Sequence, residues 1–338
     1  MNRLSALALQ LRAVWMLLGV ALILFIATPY FLTSSNFMAI ALTASITALL
    51  AIGETFVIIL GEIDLSVGAM LGFTAVVTAM VLPNAGLVMG LLAGLGAGAA
   101  AGLINGLLVT KVNMPSFIAT LASLSILSGL TLYLTKGNPV SINSGAFRLI
   151  GTGHILGVPV PIWILLVVAV VFGILLARSR FGRQVYATGD NFEAAHLSGM
   201  PVTRVKLAAF VISGVLAGIA GFILAARLGT AQPSGGKGLE LTAIAAVIIG
   251  GTSLLGGRGA VVGTVIGALL LGTIDNGLNL LDVSPFLQDV VKGAVILFAV
   301  FIDRNAGPIR TIVQSFKRVI PGNPTPTATP TKEGAPTG

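Results

Sequence analysis

The chain has 338 residues, of which 56% are hydrophobic and only 9% are charged. A soluble domain is usually about a quarter charged, so this sequence lacks the polar side chains to cover a water-exposed surface. The mean hydropathy of +1.02 agrees, and the 43 glycines are typical of membrane helices that pack closely. The composition predicts an all-α integral membrane protein and excludes a soluble enzyme.

Several site chemistries are excluded by what the sequence lacks. There is no cysteine, and the only histidines, His154 and His196, are separated by an apolar segment, which argues against disulfides and a metal site. No GxSxG or HExxH motif occurs, and the glycine-rich run around Arg258 lacks the GxxxxGK[ST] nucleotide pattern. The net charge of +8 is not interleaved with aromatics, so we expect membrane lipid and no nucleic acid as a partner.

Ten apolar segments are candidate membrane spans of a helix bundle. They cover about 14–33, 38–60, 67–82, 86–109, 115–135, 160–177, 206–226, 240–255, 259–280 and 287–302. The third and eighth are short and adjoin glycine-rich breaks, which is consistent with broken or re-entrant helices. A cytoplasmic N-terminus puts 14 of the 19 Lys and Arg residues on the cytoplasmic side, and ten spans then put the C-terminus there too.

The chain divides into two regions of different composition. Residues 1–305 form a transmembrane domain, in which the charged stretch 178–205 is a cytoplasmic loop. Residues 306–338 form a polar tail rich in Pro and Thr, which cannot bury a core and is expected to be disordered in the cytoplasm.

The first segment that could carry function is GEIDLSVG at residues 61–68, with Glu54 shortly before it. Ionisable groups at membrane depth are costly and usually face a bundle interior or water. The flanking glycines permit a sharp bend. The segment is therefore either a broken helix beside a pathway or an interfacial turn in which Asp64 or Ser66 caps the next helix.

The second segment lies in the loop 178–205. Asp190 or Asn191 can cap a short helix, Glu193 in its first turn favours the helix dipole, and Gly199 can end it. A short cytoplasmic helix between two spans suits docking to a partner, although a plain amphipathic surface helix gives the same pattern.

Polar residues also occur inside the predicted spans. The tripeptides Asn105-Gly106-Leu107 and Asn276-Gly277-Leu278 are similar, and each is followed by a proline. Transporters are often built from duplicated halves, so an internal repeat is a hypothesis, although the spacing of the neighbouring glycines does not support it.

Four longer strings carry a family resemblance. They are GEIDLSVGAMLGF, GLINGLLVTKVNMPSFIATLASLSILSGL, GRQVYATGDNFEAAHLSGMPV and AIAAVIIGGTSLLGGRGAVVGTVIGALLLGTIDNGLNLL, in this order within residues 40–305. Together they resemble permeases of ribose- and xylose-type sugar ABC importers. The wider group includes branched-chain amino-acid permeases, but GEIDLSVG and GGTSLLGGRG are similar to the sugar branch. The family often has a second glycine where this chain has Glu62.

The resemblance implies a set of partners and a mechanism. The partners are a second copy of the permease or a related permease, cytoplasmic ABC ATPase subunits, and an extracytoplasmic sugar-binding protein. It implies that ATP and Mg²⁺ bind to the ATPase and that this chain binds no cofactor. It also implies alternating access driven by a coupling helix that docks on the ATPase, formed here by Asn191, Glu193, Ala194, Ala195, Ser198 and Gly199.

A sugar pathway should be lined by hydrogen-bonding groups. The residues expected in the pathway or its gate are Glu54, Asp64, Ser66, Asn105, Thr252, Ser253, Asn276 and Asn279. The alternative is an ion-coupled secondary transporter that uses Asp64, Glu62 or Asp275 as proton carriers. The sequence does not identify the sugar.

Overall fold

The computed structural model describes residues 3–295 together with 297 and 301, and the side chains from residue 13 onward. The tail predicted at 306–338 lies outside the described residues. The helices are α1 (Arg3–Ala27), α2 (Ser34–Ile59), α3 (Val67–Thr110), α4 (Ser116–Thr135), α5 (Gly145–Thr152), α6 (Val160–Arg178), α7 (Arg180–Asp190), α8 (Phe192–Leu197), α9 (Val202–Leu228), α10 (Leu239–Ile249) and α11 (Val261–Leu280). Residues 285–295 are also helical.

The prediction of a helical membrane bundle is confirmed. Among the described residues, six helices are long and apolar enough to cross a membrane, namely α2, α3, α4, α6, α9 and α11. Of the most apolar stretch of α2, 89% is buried, whereas the corresponding stretches of α4 and α6 are only 22% buried. The fold therefore has α2 at its centre and turns apolar faces of α4 and α6 outward, as expected where lipid is the solvent.

Helix α3 folds back on itself at Gly86. Its 44 residues would extend about 66 Å as one straight helix, twice the hydrocarbon thickness. Gly86 has a non-helical conformation with φ of 83°, and a Cβ added at Gly98 would lie 3.3 Å from the Thr74 methyl group. Those two residues would be about 36 Å apart in a straight helix. The predicted segments 67–82 and 86–109 are thus the two arms of a helical hairpin.

The second arm of α3 packs against α9 through small residues. A Cβ at Gly98 would collide with the Gly214 carbonyl oxygen, and a Cβ at Gly214 with that of Gly98. A Cβ at Gly102 would likewise collide with the Phe210 carbonyl oxygen, whereas Gly94 is crowded by Thr78 of the first arm and Gly96 has open space around its Cα. Close backbone approach therefore requires glycine on one face of this arm, as membrane helix packing predicts, but Gly96 does not take part.

The elements differ from the predicted segments at several boundaries; for example, α10 ends at Ile249, although its predicted segment reaches residue 255. The first segment, predicted to reach residue 33, is helical only to Ala27, because Pro29 disfavours helical backbone just before it. The loop 178–205 contains α7 as well as the expected short helix α8. The polar stretch 136–159 holds α5 and three two-residue strands, β1 (Val140–Ser141), β2 (His154–Ile155) and β3 (Val158–Pro159).

The two short predicted segments meet inside the bundle. After α9, strand β4 (Thr230–Ala231) pairs with β1, and the chain then continues without regular structure to α10. A Cβ at Gly68, in the first turn of α3, would collide with the Gly236 carbonyl oxygen and the Glu240 carboxylate. The N-termini of α3 and α10 are therefore adjacent.

Candidate solute pathway and coupling segment

The break between α2 and α3 lies within the bundle. Gly61 has φ of 77°, which turns the chain after α2. The freed backbone groups are satisfied by hydroxyls of α4, since Ser116 Oγ accepts from Ile63 N–H and Thr120 Oγ1 accepts from Leu65 N–H, both at 3.1 Å. Irregular backbone at membrane depth needs such protein partners.

Asp64 is the centre of a buried polar network in this break. Its Oδ1 accepts from Ser66 N–H at 2.9 Å and from Ser66 Oγ at 2.5 Å, and its Oδ2 accepts from Ser213 Oγ at 3.3 Å. Asn105 Nδ2 donates to Ser66 Oγ at 2.8 Å, and Asn105 Oδ1 accepts from Ser123 Oγ. Ser213 is the twelfth of 27 residues of α9, so the network lies midway along that helix.

These contacts favour the broken helix over the interfacial turn. Asp64 and Ser66 are fully buried, and the side chain of Ser66 makes no capping hydrogen bond to α3 but donates to Asp64. Gly68 does not form the bend, since it is helical and serves the contact with Gly236.

Glu54 is the most unusual side chain of the region. It is fully buried in α2, and within the described part of the chain neither carboxylate oxygen has a hydrogen-bond partner. It interacts electrostatically with Asp64. Two carboxyl groups are thus buried close together in the bundle, and ionisable groups inside a membrane protein are candidates for a functional site.

Glu62 belongs to a different contact. Its carboxylate forms an ion pair with the Lys206 ammonium group of α9, and the two side chains are only 14% and 16% exposed. The same ammonium lies 4.8 Å from the ring centroid of Phe192 in α8, a cation–π geometry. Lys206 therefore connects the helix break to the short helix α8.

The structure divides the predicted pathway residues into three groups. Glu54, Asp64, Ser66 and Asn105 come together, as described above. Thr252 and Ser253 instead follow α10, in a turn where Ser253 N–H donates to the Arg258 carbonyl oxygen at 3.0 Å and Gly257 N–H donates to that of Ile59 at 2.8 Å. This turn therefore lies at the C-terminal end of α2, where a Cβ at Gly256 would be 3.2 Å from Gly61 N. Among the described residues, its hydrogen bonds are separate from those of the Asp64 network.

The third group lies at the opposite end of α2. Asn276 Nδ2 donates to Asn36 Oδ1 at 2.7 Å, and Asn36 precedes Glu54 by 18 residues, or about 27 Å of helix. Asn279 Oδ1 accepts from Gln288 Nε2 at 2.9 Å. Asp275 is paired with Lys292 at 3.4 Å. These residues join α11 to its neighbours and do not meet the other two groups.

Several residues of the network were missed in the sequence. Ser116, Thr120 and Ser123 form a polar stripe at i, i+4 and i+7 on the otherwise apolar α4, a signal that could have been found. Ser213 is a lone serine in α9 and carries no comparable pattern.

The short helix predicted in the loop 178–205 is confirmed. It is α8, and Asn191, not Asp190, is its cap, since Asn191 Oδ1 accepts from Ala194 N–H at 2.9 Å. Gly199, with φ of 76°, ends it, and Met200 N–H donates to the Ala195 carbonyl oxygen at 3.1 Å. Ala195 is the one buried residue of the helix.

The outer face of α8 is apolar and unusually exposed. Leu197 is 86% exposed and Phe192 is 50% exposed, although Phe192 stacks on His196. Glu193 is also exposed. Exposed large apolar side chains beside charged groups are characteristic of surfaces that contact other proteins.

Helix α7 connects α8 to the bundle. A Cβ at Gly189 would overlap the Ile59 carbonyl oxygen and lie 2.8 Å from Gly257 N, so α7 rests directly on backbone. Tyr186 Oη donates to the Gly259 carbonyl oxygen at 2.7 Å, and burial raises the pKa of this phenol, which keeps it a donor. The C-terminal end of α2, α7 and the glycine-rich turn form one junction.

A bundle of apolar helices with a buried polar break and an exposed helix at one end is the architecture of a membrane transport protein. Residues 36–300 match the family model described as branched-chain amino acid transport system / permease component. The chain belongs to this family. No solved structure matches it.

Characterised relatives resemble the chain over most of its length. It is 50% identical to the ribose import permease protein RbsC of Bacillus subtilis over 84% of this chain and 89% of the relative. It is 41% identical to the L-arabinose transport system permease protein AraH of Escherichia coli K12, over 85% and 89%, and to the D-allose transport system permease protein AlsC of the same strain, over 82% and 86%. The chain is thus a multi-pass transport permease of the bacterial cytoplasmic membrane, and not an enzyme.

Proposed function

We propose that the chain is the membrane-spanning subunit of an ATP-binding-cassette importer that moves a sugar or sugar-like solute inward by alternating access. The observation that carries the proposal is the 41–50% identity to permeases named for ribose, L-arabinose and D-allose. Its partners are cytoplasmic ATPase subunits that bind ATP and Mg²⁺, an extracytoplasmic sugar-binding protein, and a second permease, identical or related.

Ten membrane segments with both termini in the cytoplasm form the proposed topology. The hairpin of α3 supports it, because this helix supplies two segments. The others are α1, α2, α4, α6, α9, the half-length α10, α11 and the helix at 285–295. Residues 1–305 are then the permease domain and 306–338 a cytoplasmic tail.

Coupling to the ATPase is assigned to α8. The residues that we propose for docking are Asn191, Glu193, Ala194, Ala195, Ser198 and Gly199, of which only Ala195 is buried. The exposed Leu197 and Phe192 supply apolar contact area for docking. Helix α7 then transmits a displacement of α8 to the end of α2.

The pathway and its gate are assigned to the region around the Asp64 network. Glu54, Ser66 and Asn105 are part of this region, and Thr252 and Ser253 are assigned to its cytoplasmic side. Asn276 and Asn279 remain pathway predictions, although their hydrogen bonds support a role in joining helices.

An ion-coupled secondary transporter has less support. Two of its three proposed proton carriers are ion-paired, Glu62 with Lys206 and Asp275 with Lys292. Paired carboxylates are poor carriers, because protonation would leave the partner cation unpaired in a low-dielectric region.

Substitutions in α8 test the coupling. Glu193→Ala and Gly199→Val should lower ATP-driven uptake at least about tenfold and remove the stimulation of the ATPase by the sugar-loaded binding protein. The affinity of the binding protein for sugar should not change. Gly199→Val acts through its positive φ, which a β-branched residue adopts only with strain. Lys111→Ala, an exposed residue at the same end of the bundle, is the control. Coupled uptake equal to that of the control in both variants would refute the role of α8.

A further inference from the structure

The segment between α9 and α10 is irregular backbone at membrane depth. The Pro233 carbonyl oxygen lies 3.0 Å from the Cβ position of Gly72, and Gly236 contacts Gly68. Gly72 is 14 residues, or about 21 Å of helix, from the hairpin turn at Gly86. In the other direction, α10 separates this segment from the cytoplasmic junction by 11 residues, or about 16 Å. Residues 233–238 therefore lie inside the bundle, between its two ends.

A cavity of about 310 Å³ lies beside this segment. Its walls come from the first turn of α3, one face of α4, and residues 233–240. Its polar groups are Ser128, Ser234, Lys237 and Glu240, and Leu124, Leu132 and Pro233 supply apolar wall. Ser234 and Lys237 are exposed. Irregular backbone at membrane depth is tolerated where it is buried in protein or lines a water-filled cavity, and the exposed polar side chains here favour a cavity that holds water or solute.

The charges favour a neutral ligand. The N-terminus of α10 opens toward the cavity, but the Glu240 carboxylate already accepts from Gly238 N–H at 3.1 Å, and its negative charge offsets the positive end of the helix dipole. The remaining groups are hydroxyls, one ammonium group and backbone carbonyls, which exchange hydrogen bonds with hydroxyl groups. The volume is at the lower limit of small-molecule sites, about 300–1,000 Å³.

We propose that this cavity is a solute contact site of the permease itself, in which Ser128, Ser234 and Glu240 bind the hydroxyl groups of a neutral, polyhydroxylated solute while its C–H face lies against Leu124 and Leu132. None of these residues belongs to the Asp64 network. The role of this site in transport depends on the proposed function, whereas the existence of the site does not.

Cysteine labelling tests the site directly, because the natural chain contains no cysteine. Ser128→Cys and Ser234→Cys are made singly in the full-length chain and treated with a charged, membrane-impermeant methanethiosulfonate reagent. The control is Val170→Cys, midway along α6, which is 58% exposed on the apolar groove between α6 and α11. We expect the two cavity cysteines to react at least about tenfold faster than the control, since only a water-exposed thiolate reacts. D-Ribose, L-arabinose or D-allose should slow that reaction, whereas glycine betaine should not.

Two results would overturn the proposal. Cavity cysteines as unreactive as Val170→Cys would show that lipid or protein fills the space. If none of the three sugars slows the labelling, the cavity contains water but is not a solute site. The labelling experiment needs no ATPase. A failure of ATP-driven uptake would therefore refute the importer but would not affect the labelling result.

Kinetics of uptake in the assembled importer test the role of Glu240. Glu240→Gln should raise the KM of uptake with less change in kcat, while Glu240→Asp retains most of the affinity. Equal loss of kcat in both variants would instead indicate a structural role.

Discussion

Lys206 joins two parts of the molecule that the proposed mechanism requires to move together. It pairs with Glu62, two residues before the buried Asp64, and lies over Phe192 of α8. Both ends of the ion pair are largely shielded from water. A displacement of α8 therefore changes the environment of the helix break through one side chain.

Reversal of this ion pair tests the link. Glu62→Gln should destabilise the protein by about 1.5–3 kcal/mol, the range for hydrogen bonds to charged groups, and should reduce coupled uptake. Glu62→Lys combined with Lys206→Glu should restore part of both, because the attraction is retained with opposite sign. Thermal unfolding in detergent and uptake are measured on the singles and the double. Additive effects in the double variant would show that the two residues act independently.

At this scale the sequence predicted the network only in part. Asp64, Ser66 and Asn105 were identifiable because polar groups within apolar segments are costly, and they do converge. The partner of Glu62 was not identifiable, since Lys206 lies far along the chain in a segment that reads equally well as loop. The position of Thr252 could not be predicted either, because glycines with positive φ set the direction of its turn.

Glycines determine how the elements fit together. The hairpin of α3, its contact with α9, and the seat of α7 on Ile59 each require a residue without Cβ. Apolar length predicted most helices to within a few residues, and Pro29 and Gly86 account for two boundaries. Composition could not show which glycines are contacts, because Gly96 and Gly98 differ only in the face of the helix that they occupy.

The contact between α7 and the Ile59 backbone provides a test at the level of elements. Gly189→Ala should destabilise the junction by about 1–3 kcal/mol, since the added methyl overlaps the Ile59 backbone, which cannot rotate away as a side chain can. Coupled uptake should fall with it. Gly96→Ala is the matched control, because nothing lies near its Cβ position and alanine favours helix. Both variants are compared by thermal unfolding and by uptake, and equal stability of the two would contradict the described contact.

At the scale of the whole molecule, the parts form a sequence from the exposed helix α8 to the interior of the bundle. The exposed α8 continues into α7, which rests on the end of α2, and α2 leads through Gly61 to the buried break and to the cavity beside Gly68. This order of elements is what the proposed coupling of transport to a cytoplasmic ATPase requires. A displacement of α8 can be transmitted to the interior of the bundle through α7 and the end of α2, which are in direct contact.

The most direct test of this account is uptake by purified components. The chain is reconstituted into liposomes with its ATPase and sugar-binding protein, and radiolabelled D-ribose, L-arabinose and D-allose are supplied outside. The account predicts uptake of at least one sugar that requires ATP and both partners. Uptake by this chain alone, driven by a proton or sodium gradient and indifferent to ATP, would contradict it.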